Sequence, residues 1–196
     1  MNTDIVVHTD KTFQQVDFSE KELRSREFIR CHFIGCDFSK SDLRTNDFED
    51  CTFETCNLSM ANLQGVGLRN IIFKDSKIMG IDFSALNKFM FSFSFENCQL
   101  DYSIFYGAKL KKMQFTKCSL REVDFSEADL SGSVFAECNL LSTVFSRTNL
   151  EKVDFRTSAN VILDPDLNKM KKAKFTINQL ELLLLKYNLD VEDSMP

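Results

Sequence analysis

The side chains of this 196-residue chain that carry chemistry are seven cysteines, two histidines and many carboxylates. A metal site calls for thiolates and imidazoles converging on one point, usually announced by a C-x-x-C pair. The cysteines instead stand at Cys31, Cys36, Cys51, Cys56, Cys98, Cys118 and Cys138, with intervals of five and twenty. That is the spacing of a repeat. Pairs such as Cys31 and Cys51 come within disulfide reach only under oxidation. His8 and His32 have no nucleophile and carboxylate arranged with them in sequence, and neither a phosphate loop nor a dinucleotide fingerprint occurs. The expectation is a protein that is not an enzyme and holds no metal or cofactor.

The repeat accounts for these intervals. Every fifth residue from Phe13 to Phe83 is large and apolar, and so is every fifth from Phe95 to Phe155, where Phe and Leu alternate. Two residues before each centre stands a residue that is often small or β-branched: Ser41, Ala61, Val66, Ala108, Val123 and all seven cysteines. A spacing of two puts both on one side of an extended segment. Because five is odd, the chain must bend once per repeat to keep every centre inside, and it therefore coils into a tube. Cys98, Cys118 and Cys138, twenty apart, give four sides per coil. Residues 13–155 then form about seven coils, roughly 34 Å long at the spacing of hydrogen-bonded strands. With only 6 Gly and 2 Pro, ordinary turn punctuation does not make the bends. The Asp and Asn beside the centres suit corners, because they bond local backbone.

Cys56-Asn57-Leu58-Ser59-Met60-Ala61-Asn62-Leu63-Gln64-Gly65 and Ala128-Asp129-Leu130-Ser131-Gly132 resemble the A(D/N)LXX motif of the pentapeptide-repeat family. The resemblance covers about three quarters of the chain. It implies an all-β solenoid, a right-handed quadrilateral β-helix, in agreement with the four sides read from spacing. Cys56 to Leu63, and the break after Gly80-Ile81-Asp82-Phe83, are similar to the Qnr-like, quinolone-resistance branch, where an irregular insertion interrupts the coil at a like position. The chain departs from that branch in having no long projecting loop earlier: its first run keeps register from Phe13 to Phe83.

Three segments lie off the repeat. Residues 1–12 form an N-terminal segment, and Lys21 and Arg26 occupy small inward positions, which suggests an open first coil with long side chains reaching outward. Phe83 and Phe95 are two positions farther apart than the register allows, so 84–94 contains a break. It is either a packed corner or an exposed bump that touches a partner through Lys88, Phe89 and Phe91. Residues 156–196 carry helix signals: Asp164-Pro165, then Thr176 with Gln179 as a capping box opening a helix to about Tyr187. Leu180, Leu183, Leu184 and Tyr187 form one stripe, yet Leu182 and Leu185 point elsewhere, so the helix needs burial on more than one side. One side caps the solenoid; the other joins a second copy in a homodimer.

A net charge of −5 and no visible basic stripe argue against direct nucleic-acid binding and leave basic protein surfaces as partners. No apolar run approaches a membrane span and no secretory leader is visible, so a cytoplasmic address is expected. Glu22, Asp42, Asn62 and Asp82 stack at twenty-residue spacing, flanked by Asp17 and Asp37 on one neighbouring face and by Glu27 and Asp47 on another. This is either a solvated wall or an acidic stripe that imitates nucleic-acid phosphates. The resemblance implies the latter, with DNA gyrase or topoisomerase IV bound and shielded from quinolones; the alternative is a scaffold or regulatory solenoid with an unrelated partner.

Overall fold

A computed structural model describes residues 5–87 and 92–190. The strands run in chain order as β1 (Val6–Thr9), β2 (Thr12–Gln14), β3 (Arg26–Ile29), β4 (His32–Ile34), β5 (Asp47–Glu49), β6 (Thr52–Glu54), β7 (Gly67–Arg69), β8 (Ile71–Lys74), β9 (Phe93–Glu96), β10 (Gln114–Thr116) and β11 (Val134–Ala136). They stack into two parallel sheets, β1-β3-β5-β7 and β2-β4-β6-β8-β9-β10-β11. The remaining two sides are joined coil to coil by single parallel bridges such as Asp37↔Asn57 and Asp42↔Asn62. The result is a four-sided parallel solenoid in which the longer sheet takes six coil steps.

Register is the exact consequence of the spacing. Phe33 faces Phe53 and Phe48 faces Leu68, each twenty residues on. Across the break the offset becomes twenty-two, as in Phe73↔Phe95 and Lys77↔Gln99, and it then returns to twenty. Asn87 N–H still bonds Val66 O, whereas Ser92 N–H bonds Leu68 O, so the two extra residues enter between Asn87 and Ser92. Leu86 and Phe93 on either side are buried.

The centres fill the tube. Phe33, Phe53, Phe73, Phe95, Phe115, Phe135 and Phe155 are all buried and stacked ring on ring, with centroids 4.7–5.7 Å apart. Strict Phe/Leu alternation around four sides puts Phe on two opposite sides and Leu on the others. Thus Phe105, Phe125 and Phe145 form a second stack, edge-on to the first. All seven cysteines are buried. Six of the thiols donate to carbonyls of the preceding coil, as Cys56 Sγ does to Phe33 O and Cys138 Sγ to Phe115 O, while Cys98 donates to Glu96 O. Burial pushes Cys51, Cys56 and Cys98 up to about 12, so they remain unreactive thiols.

The corners explain the scarcity of glycine. The residue two after a centre takes the left-handed conformation, as at Gln15 (φ 51°), Thr55 (φ 53°), Lys117 (φ 54°) and Lys152 (φ 61°). For a residue with a Cβ this conformation costs about 1–2 kcal/mol. At most corners a coil-to-coil bond from the corner N–H offsets it: Thr55 to Lys74 O at 3.0 Å, Lys117 to Ala136 O at 2.8 Å. Where Asp or Asn stands before a centre it commonly staples the same bend, its Oδ1 accepting from the N–H two residues on. Asp37 with Ser39, Asn57 with Ser59 and Asp124 with Ser126 are examples.

Both ends differ in detail from the sequence expectation. At the start, β1 already pairs in register, with His8 stacked on Phe28 at 4.9 Å. Lys21 is exposed as expected, but Arg26 is half-buried, its Nε burying itself without a hydrogen-bond partner among the described residues. At the other end the ladder continues past Phe155, through Asn149↔Lys169 and Asp154↔Lys174, to Phe175 stacked on Phe155. The repeat is obscured there because Asn160 stands at a centre while Val161 and Leu163 fill the interior. Helix α1 (Ile177–Leu184) then lies over the last coil: buried Gln179 caps Thr176 N–H and donates to Phe155 O and Ser158 O, with Leu183 buried beside it.

Two stability outcomes follow for equilibrium urea unfolding. Phe125→Ala costs about 3–5 kcal/mol, because stacked coils cannot collapse into the void. Lys152, exposed but left-handed, responds to backbone and not to contacts: Lys152→Gly stabilises by roughly 0.5–1 kcal/mol, and Lys152→Val destabilises.

Candidate functional site

A filled tube leaves function to its outer faces. The depression over the corner lined by Asp75, Ser76, Lys77, Asn97, Cys98, Gln99, Lys117 and Ser119 is external and polar; its hydroxyls and thiol are spent on the fold, Ser76 donating to Lys74 O, Cys98 to Glu96 O and Ser119 to Asp101. His32 does have a carboxylate neighbour, Glu54, at 3.1 Å, which the sequence did not suggest; the pair bridges adjacent coils on an open face. Among the described residues no cluster of His, Cys, Asp and Glu is arranged to hold a metal.

The acidic column exists as backbone geometry, with Glu22↔Asp42↔Asn62 in register. Its charge is partly cancelled. Asp42 is gripped by Arg44, Nη2 at 2.7 Å, and by Arg24, whose Nε lies at 2.8 Å. These hydrogen bonds, Arg44's first, hold its carboxyl well below the usual range. Exposed Glu22 lies 3.5 Å from Arg24. Asp82 is turned onto Ser84 N–H and Oγ. On the neighbouring faces Asp17 and Asp37 staple Ser19 and Ser39, and Asp47 pairs with Arg69 at 3.2 Å. The structure thus brings the predicted acids together but gives most of them a corner or an arginine to serve. Lys88, Phe89 and Phe91 lie outside the described residues.

On the C-terminal helix, Leu183 faces its own solenoid, whereas Leu180 and Leu184 are exposed. Tyr187 donates its hydroxyl to Asp166 at 2.8 Å, and Lys186 bonds the same carboxylate at 2.6 Å. Ile177, 84% exposed, and Leu185, 59%, extend the apolar surface.

A second exposed apolar patch was missed. Ile104 and Val144 lie on one column with Asp124 between them, and Tyr102 and Tyr106 flank Ile104. Its signal was present in the sequence: before the centres Phe105 and Phe145, Ile104 and Val144 alternate down a column with Asp82 and Asp124, which staple.

Residues 46–117 and 108–183 match the family described as a pentapeptide repeat region. No curated protein matches the sequence. Among solved structures, a trypsin-treated variant of QnrB1, a plasmid-mediated fluoroquinolone resistance protein, is similar at 20% identity over 96% of this chain and 99% of its own, with a TM-score of 0.67. HetL, a pentapeptide repeat protein involved in heterocyst differentiation regulation in the cyanobacterium Nostoc sp. strain PCC 7120, is similar at 12% identity over 88% and 86%, with a TM-score of 0.53. At these identities the likeness is one of fold.

Asp42 tests the structural reading of the acids. Its folded pKa is depressed, so its contribution to stability is complete above the unfolded value near 4 and is lost as pH falls below it. Asp42→Asn therefore lowers the urea midpoint at pH 7, by about 1 kcal/mol in stability. The gap between variant and parent closes as the pH is taken from 5 towards 2.

Proposed function

Since this chain belongs to the pentapeptide-repeat family, we propose that it is a non-enzymatic binding protein whose partner is DNA gyrase or topoisomerase IV, and that it protects the enzyme from quinolone-type inhibitors. What supports this reading is the agreement in fold with the fluoroquinolone resistance protein QnrB1 over nearly the whole of both chains. The solenoid lies in the basic groove that otherwise receives DNA, its carboxylate-bearing side towards the groove. Two chains joined end to end span about 70 Å at the coil spacing, near two turns of B-DNA. Their charge is far sparser than the one per ~1.7 Å of duplex DNA. With Asp42 also neutralised by two arginines, the fit is one of shape and of local contacts such as exposed Glu22. Binding accordingly weakens with salt.

The same reading includes a homodimer through the C-terminal helix: Leu183 seals the tube, leaving Leu180, Leu184, Ile177 and Leu185 for a second copy. The likeness to HetL favours a second reading, a regulatory solenoid with an unrelated partner.

Light scattering is expected to give twice the chain mass of 22.6 kDa, and Leu180→Asp with Leu184→Asp to give the single chain mass; a monomeric parent at micromolar concentration removes the dimer. In a purified gyrase supercoiling assay the protein is expected to alter activity and to restore it in the presence of a fluoroquinolone. Glu22→Gln, Asp42→Asn and Asp82→Asn together keep the corner staples while removing charge, and are expected to weaken both effects. No effect of the parent protein favours the regulatory reading.

A further inference from the structure

Net charge conceals a segregation that the twenty-residue register displays. On the side carrying the centres Leu110, Leu130, Leu150 and Met170, one coil presents Lys109, Lys111 and Lys112. Three coil steps on, about 14 Å away, another presents Lys169, Lys171 and Lys172. Lys109↔Asp129↔Asn149↔Lys169 run in register, which fixes the two rows on the same face, and Lys152 stands between them. All seven lysines are exposed. The face holds only Asp129 and Glu151 in return, a formal +5 on a chain whose total is −5. Asp129 is committed to Lys111 at 3.3 Å, Ser131 and Asn149. On the flanking sides Glu127 is occupied by Arg147 and Asp154 by Arg156 and Lys174, which leaves Glu137 as the exposed acid there without an ion pair among the described residues. Among the described residues Lys109, Lys112, Lys152, Lys169, Lys171 and Lys172 make no ion pair.

Like charges gathered this densely repel one another and are stabilised by a polyanion. The type of residue says which. The cations are lysines without arginine, point charges suited to phosphate oxygens and not to bidentate reading of base edges. Leu110, Leu130 and Leu150 are buried, so the face offers no apolar wedge for a bilayer, and its described residues include no aromatic on which unpaired bases would stack. Row separation is near the ~12 Å width of the major groove, so the two triplets reach phosphates on its two sides. We infer that this lysine face binds the phosphate backbone of duplex nucleic acid without regard to sequence. The inference is independent of the topoisomerase reading, because it concerns a different side of the tube and a direct ligand.

Fluorescence anisotropy with a labelled random-sequence DNA duplex of about three helical turns tests it on the full chain. Binding is expected at 50 mM salt, weakening roughly 500-fold by 200 mM for about five neutralised phosphates. Lys109→Gln with Lys169→Gln, both outside the left-handed corners, is expected to weaken binding about tenfold or more and to lower the log-log salt slope by about 2. Lys40→Gln with Lys74→Gln, on other sides, leaves both unchanged. Unaltered thermal melting of each variant shows that folding is not at issue. No duplex binding at 50 mM salt, equal binding by the two double variants, or capture by anionic lipid vesicles in place of the duplex overturns the inference.

Discussion

Everything in this protein depends on one constraint: each residue must lie beside the residue one coil later, because the backbone groups of a coil find their partners only there. A strand of three residues has no stability of its own. It persists because Phe33 stacks on Phe53 and Phe53 on Phe73 while the N–H groups between them reach the neighbouring coil. The same constraint dictates the corners. A left-handed residue at each bend is costly, and the chain accepts lysine, threonine or glutamine there because the inter-coil bond, joined at some corners by an Asx staple, holds the bend whatever the side chain. Sequence is thereby freed at the outward positions, which is where partners are met.

That freedom explains what was legible in the residues and what was not. Interior positions are dictated by stacking, so the period of five, the four sides and the burial of Cys98, Cys118 and Cys138 were readable from spacing. The helix start was readable because Thr176 and Gln179 are a local signal. The coil from Asn160 to Phe175 was not, since Val161 and Leu163 shift the interior pattern by one and two positions while the backbone keeps its ladder. Nor was the neutralisation of Asp42, because Arg24 meets it only through an eighteen-residue return of the chain. The lysine face was hidden by the net charge alone: Lys109 and Lys169 stand three uniform twenty-residue steps apart, all beyond the slip between Asn87 and Ser92.

The faces thus divide the work. Acids before the centres serve mostly as corner staples, and their surface charge is shared with arginines. Charge that is not spent on the fold collects on the C-terminal half of one side, as lysines. Apolar surface not spent on the core collects at the terminal helix and around Ile104 and Val144. A rigid tube that presents these features on different sides is suited to holding macromolecules against one another, which is consistent with a binding protein and gives each face a separable role.

The central claim, that twenty-residue register governs stability, is tested most directly by comparing urea unfolding of two deletions of equal size. Removing two residues from within 88–91 restores a uniform twenty-residue offset, and the account predicts a cooperative transition close to that of the parent. Removing Gly132 and Ser133 shifts Phe135 and all later centres against the coils below them, and the account predicts loss of cooperative folding. Equal destabilisation by both deletions would contradict it.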